Sequence, residues 1–271
     1  MNLLWTRMPG VILASLLMLV MAPESTPVTL ALVGDLMIGR GVSAFVHCEN
    51  SEEIFAALTP WLRTADVAFG NLESPISAEL PRSSGSYNLC ASPTGLGVLK
   101  TAGFDLLSTA NNHSRDCLES GEESRQDTQT HAWISSAGLR AVDDSFQPVE
   151  IRVRGKRLVF LAADDISAPV DMPGLTAAVL KARSSGAFVV VSIHWGLEYQ
   201  AGQTRRQSKL ARELADAGAS LIVGHHAHVT QPVECINRSG SGEPTLVFYS
   251  LGNALFDQHG LPDTRRGRMA F

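Results

Sequence analysis

Strands alternate with helices through most of this sequence, and that alternation predicts an α/β fold. Two further observations point the same way. Continuous apolar runs, strongest at Ala187-Phe-Val-Val-Val-Ser-Ile193, read as strands buried on both faces. A hairpin signal after residue 149 adds an antiparallel portion, so mixed sheets are expected.

Val28-Thr-Leu-Ala-Leu-Val33 is the first buried strand, and Gly34-Asp35 is expected to end it. Residues 52–63 have helical spacing, with Ile54, Leu58 and Leu62 on one face. Val67-Ala-Phe69 is a short strand before Gly70-Asn71. Leu96, Leu99 and Lys100 suit a helix that stops at Gly103. Phe104 to Ala110 reads as a strand, and residues 119–137 as a polar helix stopped by Gly138. The hairpin pairs Glu150-Ile-Arg-Val-Arg with Arg157-Leu-Val-Phe-Leu161 around Gly155-Lys156. Residues 174–185 are helical and Ala-rich, and 205–217 form an amphipathic helix with Leu210, Leu214 and Ala217 in one stripe. Ser220-Leu-Ile-Val223 and Thr245-Leu-Val-Phe-Tyr249 are two more strands. Arg82–Tyr87 and Asn237–Gly242 read as surface loops, and there is no internal repeat.

A chain of 271 residues suits one large domain or two small ones. Its 45% hydrophobic content excludes a wholly disordered chain. A net charge of -5 denies it an overall basic field, and 6% aromatics disfavour base-stacking platforms, so no nucleic-acid partner is expected. Residues 1–27 stand apart from the body, residues 28–271. Arg7 precedes an uncharged apolar run over residues 10–22 that is shorter than the ~20 residues of a spanning helix. It reads as a secretory signal. Pro23 after Ala22 makes a poor cleavage point, which leaves an uncleaved anchor open, and a buried helix is the bland alternative. Either of the first two places the body outside the cytoplasm. Cys48, Cys90, Cys117 and Cys235 contain no Cys-x-x-Cys pair, which argues against a thiolate zinc site. An oxidising compartment permits one or two disulfides among three complete pairings, with buried free thiols as the other reading.

Ligands of open α/β sheets bind at the carboxyl ends of strands. Those ends carry Asp35, then Asn71 and Glu73, then Asn112 and His113, then His194, then His225, His226 and His228. Five of the eight histidines fall there, which is hard to explain as unrelated structural residues. Imidazole together with carboxylate and amide oxygen, without cysteine, suits a catalytic transition-metal centre. Six candidate ligands exceed one tetrahedral ion and suit two ions sharing a carboxylate, ~3.5–4 Å apart. Such a pair polarises a phosphoryl or acyl oxygen and makes hydroxide from bound water, leaving His113 free to serve as an acid.

The segments Gly34-Asp35-Leu-Met-Ile-Gly39-Arg40, Asn71-Leu-Glu73-Ser-Pro75, Ala110-Asn-Asn-His113, His194-Trp-Gly-Leu-Glu198-Tyr199, Gly224-His-His-Ala-His228 and Tyr249-Ser-Leu-Gly-Asn253 resemble the bacterial capsule-synthesis CapA family. This family is also called the poly-γ-glutamate synthesis PgsA-like family. It belongs to the calcineurin-like metallophosphoesterase superfamily, and the resemblance spans about residues 28 to 258. It implies a four-layer α/β/β/α sandwich with a metal centre at the strand ends. It also implies that Asp35, Glu73, Asn112, His194, His226 and His228 are metal ligands, with Glu73 bridging. His113 resembles the catalytic histidine, while Asn71 and His225 are expected to support the ligands. The implied cofactor is one or two divalent ions (Mn, Fe, Zn or Mg). Met37 departs from the superfamily, standing where a ligand histidine of an Asp-x-His motif is expected. Compared with the family the chain is short at its C-terminus, where Gly267 is expected to open a further strand.

Arg40, Glu198 and Tyr199 are candidates for substrate binding. Arg40 suits an anionic group held bidentately or an acidic surface partner, and Glu198 and Tyr199 either reach substrate or only close a loop over the metal. Trp195 reads as a packing wall, and Arg205-Arg206 and Arg265-Arg266 as solvated pairs. Two functions compete. One is a metal-dependent hydrolase using metal-bound hydroxide on a phosphoester or a linkage of an extracytoplasmic, anionic polymer. The other is a non-catalytic metal-binding component of a membrane complex for polymer synthesis and export. The Asn112-His113 pair favours the first, and Met37 favours the second.

Overall fold

The computed structural model describes residues 26–49, 51–79, 88–117, 126–239, 243–258, 262–265, 267 and 269–270. The expected N-terminal signal or anchor and the loop at Arg82–Tyr87 lie outside them, apart from residues 26 and 27.

The chain runs through β1 (Leu30–Leu36), α1 (Arg40–Val46), α2 (Thr59–Thr64), β2 (Val67–Leu72), α3 (Thr94–Ala102), β3 (Leu106–Ser108), α4 (Gln126–Ser136) and β4 (Arg140–Val142). It continues through β5 (Val149–Val153), β6 (Lys156–Asp164), α5 (Met172–Ser184), β7 (Phe188–His194), α6 (Arg205–Ala217), β8 (Leu221–His225), β9 (Val233–Asn237), β10 (Pro244–Phe248) and β11 (Asn253–Leu255). One sheet has the order β11-β1-β2-β3-β4 and is parallel throughout. The other has the order β5-β6-β7-β8-β10-β9, parallel in its centre and antiparallel at both edges.

Alternation along the strands sorts side chains into three apolar layers. Leu32, Phe69, Leu106 and Val142 meet Phe160, Ala162, Val190 and Val223 between the sheets. The Phe69 and Phe160 rings stack there at 5.7 Å. Ala31, Val33, Ala68 and Leu107 point the other way, beneath Val42, Val46, Leu96, Leu99 and Ile134 of the first helical layer. Val159, Leu161, Val189 and Val191 do the same beneath Leu175, Val179, Leu210 and Leu214. The result is the expected α/β/β/α sandwich. Burying a side chain of this size contributes about 1.5–3 kcal/mol, so the inter-sheet layer holds the two sheets face to face without a ladder between them.

The helices end where their sequences demand. Gly103 and Gly218 cap α3 and α6 in left-handed conformations, and Thr204 with Gln207 forms a capping box at the start of α6. Several boundaries correct the sequence reading. Gly34-Asp35 does not end β1, and Gly70-Asn71 does not end β2: both strands run on through them. Polar residues are tolerated in these buried strands because they bond each other, Asn71 Nδ2 donating to Asp35 Oδ1 at 2.9 Å. The helix expected over 52–63 is split into a 3-10 turn at Ser51–Phe55 and α2, because Pro60 has no N–H to continue an earlier helix and sits instead in the first turn of α2. The strand expected over Phe104 to Ala110 is only Leu106–Ser108. The short strands β4, β9 and β11 carry little apolar pattern and escaped the reading. At the C-terminal end the expected strand amounts, among the described residues, to one antiparallel bridge between Ala270 and Leu32.

Of the open cysteine pairings, the structure contains Cys90–Cys117, while Cys48 and Cys235 are free and exposed.

Candidate metal centre

The parallel registers line up two polar rows. In the first sheet Asn253, Asp35, Asn71 and Ser108 are neighbours across β11, β1, β2 and β3. In the second, Asp164, His194 and His225 are neighbours across β6, β7 and β8. Except for Asn253, which opens β11, both rows lie at or near carboxyl ends of strands, the position from which α/β sheets present functional groups. The register of β1 shifts between Leu32 and Asp35, a local irregularity of the kind that re-aims a side chain.

Two glycines let the rows approach. The segment from Tyr249 to Asn253 leaves β10 in the second sheet and enters β11 in the first. Leu251 N–H donates to the Gly224 carbonyl and Asp35 N–H to the Gly252 carbonyl. A Cβ on Gly34 would stand 1.7 Å from the Gly252 oxygen, and one on Gly224 2.0 Å from the Tyr249 oxygen. Neither position has room for a side chain.

Two sets of donors converge. Glu73, His226 and His228 each bring one ligand atom to within 4.8 Å of the others, and so do Asp35, Glu73 and His194. Glu73 belongs to both. Around His194 Nε2 lie Asn112 Oδ1 at 2.8 Å, Glu73 Oε1 at 3.1 Å and His226 Nδ1 at 3.2 Å. One ring nitrogen carries at most one hydrogen, so it cannot satisfy three acceptors at once. Both Glu73 oxygens are buried without a hydrogen-bond partner. Lone pairs gathered without protons to share fit a cation, and the mixed nitrogen and oxygen set fits a divalent one.

Electrostatics agree for Asp35, His194 and His226, while Glu73 and His228 would give up a proton to bind a cation. Burial pushes Asp35 up, but hydrogen bonds and charge from His225 and His228 outweigh it and hold the carboxyl well below its ordinary value. Burial and the charge of Asp35 push Glu73 up to about 8. Burial drives His194 down to about 3, and burial with the charges of His194 and His228 drives His226 to about 3. Both rings are therefore neutral near pH 7 and offer the lone pairs that metal binding requires. Burial lowers His228, but Glu73 and Asp35 more than reverse this and raise it to about 9.

Asn71 and His225 lie behind the donors. Asn71 bonds Asp35 and faces His194 Nδ1 at 3.3 Å, while His225 Nδ1 stands 3.3 Å from Asp35 Oδ1. His113 is half-buried beside the cluster, its Nδ1 2.9 Å from Asp116 Oδ2. Burial lowers it, but Asp116 and Glu73 leave it raised overall. Tyr199 sits at the rim, 44% exposed, with its ring 6.0 Å from that of His228. Glu198 is exposed next to it and acts on His226 through its charge. Arg40 pairs with Asp257 and lies over the Phe256 ring, which also faces the His228 ring at 4.8 Å. Arg40 thus has the acidic partner that one of its two readings expects. Met37 turns into the first outer core and offers nothing to the centre.

Four of the six non-glycine residues with positive φ among those described (Arg40, Tyr199, His226 and His228) lie around this cluster. Such strain persists only where surrounding structure imposes it, and it concentrates at functional sites. The sequence reading placed Asn253, whose Oδ1 is 2.9 Å from His228 Nδ1, and Asn111, which bonds Asn71, in its motifs without giving them a role, and it missed Phe256. Asn253 had a signal, since it closes the Tyr249–Asn253 motif. Phe256 had none.

The fold and the cluster define a two-sheet α/β protein built around a candidate metal centre. The family described as "Bacterial capsule synthesis protein PGA_cap" matches residues 29–258, and the chain belongs to it. It is 33% identical over 246 residues to the "PGA biosynthesis protein CapA" of Bacillus subtilis (strain 168), covering 83% of this chain and 62% of that one. It is 31% identical over 260 residues to the "Capsule biosynthesis protein CapA" of Bacillus anthracis, covering 87% and 61%. The chain thus spans about three-fifths of the length of these curated relatives. The crystal structure of a hypothetical protein from Thermus thermophilus shares the fold, with a TM-score of 0.50, 20% identity, and coverage of 82% of this chain and 75% of that one.

Proposed function

We propose that this chain is a divalent-metal-dependent hydrolase of capsule or poly-γ-glutamate biosynthesis, working outside the cytoplasm with residues 1–27 as signal or anchor. The observation that carries the reading is Glu73, a buried carboxylate without hydrogen-bond partners that belongs to both donor sets. Asp35, Glu73, Asn112, His194, His226 and His228 would hold one or two ions. Bound there, divalent cations supply Lewis-acid polarisation of a phosphoryl or acyl oxygen and acidify water. Asp35 stays ionised and Asn71 orients it. Asp116 occupies Nδ1 of His113, which leaves Nε2 to give a proton to the leaving group. The names of the relatives support an anionic polymer as substrate, and a phosphoester suits the same chemistry. A synthesis complex at the membrane is the expected partner.

Met37 favours a second reading, a non-catalytic metal-binding component of polymer synthesis and export, since it supplies no donor where the superfamily has one. The full-length protein, loaded with Mn²⁺, should cleave a phosphodiester or poly-γ-glutamate in proportion to bound metal. Stoichiometric metal with no cleavage of either would establish the second reading. Fractionation of a tagged full-length protein tests the location.

A further inference from the structure

The bridge Cys90–Cys117 joins the two segments that hold Asp116. On one side, Leu89 N–H donates to Asp116 Oδ2 at 2.7 Å, and Asn88 Nδ2 donates to the Asp116 carbonyl at 2.5 Å. The same Oδ2 faces His113 Nδ1 at 2.9 Å. The segment at residues 88–91 is itself anchored near the metal donors. Ala91 N–H donates to the Pro75 carbonyl at 2.9 Å, and Ser77 N–H to the Ala91 carbonyl at 3.0 Å. Pro75 follows Glu73 by two residues. A closed circuit therefore runs from Glu73 through Pro75, Ala91 and Cys90, across the disulfide to Cys117 and Asp116, and ends on His113. Asp116 sits on a short turn, and the bridge is the covalent link between that turn and the segment beside Glu73.

We propose that the Cys90–Cys117 bridge and Asp116 form a positioning device for His113, so that reducing the bridge releases His113 while the metal donors stay in place. The proposal rests on the hydrolase reading for its effect on turnover, but its structural part stands apart from it. Reduction breaks one S–S bond and forms two thiols. A dithiol supplies the two electrons and two protons and becomes a disulfide itself. Asp116 is a positioning residue, since it acts only through His113. An oxidising compartment keeps the device closed.

The test uses the full-length, Mn²⁺-loaded protein, oxidised or treated with a water-soluble phosphine, which reduces the bridge and takes oxygen from water as it becomes its oxide. Bound metal, carbethoxylation of His113 read by peptide mass spectrometry, and kcat and KM on a phosphodiester are measured together. Reduction should leave bound metal unchanged and raise the carbethoxylation rate of His113 about fivefold or more, as expected for local release. It should lower kcat about tenfold with KM unchanged, less than the roughly 10²–10⁴-fold of a wholly lost proton donor, because His113 is loosened and not removed. Asp116→Asn should reproduce both changes, and reduction of that variant should add little, because two steps that act through one contact are not additive. Cys90→Ser with Cys117→Ser should match the reduced protein, and phosphine treatment of the native chain gives the answer if that variant fails to fold. Unchanged His113 reactivity on reduction, unchanged kcat despite raised reactivity, loss of metal on reduction, or independent effects of reduction and Asp116→Asn would each overturn the proposal. If the oxidised protein cleaves no ester or amide, the hydrolase reading fails, and His113 reactivity alone then decides whether the bridge holds it.

Discussion

The five-stranded sheet brings oxygen to the centre and the six-stranded sheet brings nitrogen. Asp35, Asn71 and Glu73 come from β1, β2 and the residue after it, and Asn112 from beyond β3. His194 and His225 end β7 and β8, and His226 and His228 follow directly. The two halves also differ in charge. Asp35 is held ionised and its charge helps push Glu73 up, whereas His194 and His226 are neutral rings and His228 alone of the shifted histidines there is raised. Neither sheet offers a complete set of donors, so the centre is a property of their apposition. The crossing segment from Tyr249 to Asn253 is the backbone that sets this apposition, passing Gly224 on one side and Gly34 on the other.

The largest effects should come from filling those two gaps. Gly224→Ala and Gly34→Ala should each cost about 4 kcal/mol or more, read from urea midpoints, because each Cβ meets backbone that cannot swing away. A native midpoint in either variant would mean that the crossing segment does not clamp the halves. A loss in only one would show which sheet depends on it.

Next in size, the halves should separate by role. His113→Ala should keep bound metal while turnover falls about 10²–10⁴-fold, the range of a lost general acid. His226→Ala should lose metal and turnover together. Elemental analysis of both variants checks this, and metal loss from His113→Ala would move His113 into the donor set.

Chelation should then lower stability by about 2.7 kcal/mol when the metal had stood at ~100 times its dissociation constant. At about 2–4 °C per kcal/mol for a chain of this size, the melting temperature should fall roughly 5–10 °C. Asp35→Ala from one half and His194→Ala from the other should both abolish the shift. A shift that survives either would assign the metal to a single half.

The smallest effects should lie outside both rows. Cys48→Ser and Cys235→Ser should each change stability by less than about 0.5 kcal/mol, since both thiols are exposed and free.

Most of the cluster was legible because its residue types are costly to bury without a reason. Histidines at His194, His225, His226 and His228, and carboxylates at Asp35 and Glu73, stand next to apolar runs that a sheet interior would otherwise continue. The α/β class was legible from the same runs, since a strand buried on both faces leaves no polar alternation. Asn253 and Phe256 were harder to see, because β11 is three residues long and its pattern is set by its neighbours. The end of β1 was misjudged for a related reason. Gly34 punctuates a strand when read locally, but here it makes room for a crossing chain.

The amino-acid order by itself determined the α/β class, the long buried strands and amphipathic helices, and which side chains are chemically able to bind a cation, because periodicity and donor chemistry are local properties. Which sheet faces which, the sharing of Glu73 between two donor sets, the pairing of Cys90 with Cys117 and the engagement of Arg40 by Asp257 were decided only by the tertiary structure. Each depends on distances between residues remote in the chain, and those distances are set by the packing of the inter-sheet layer and by the passage of one backbone segment between two glycines.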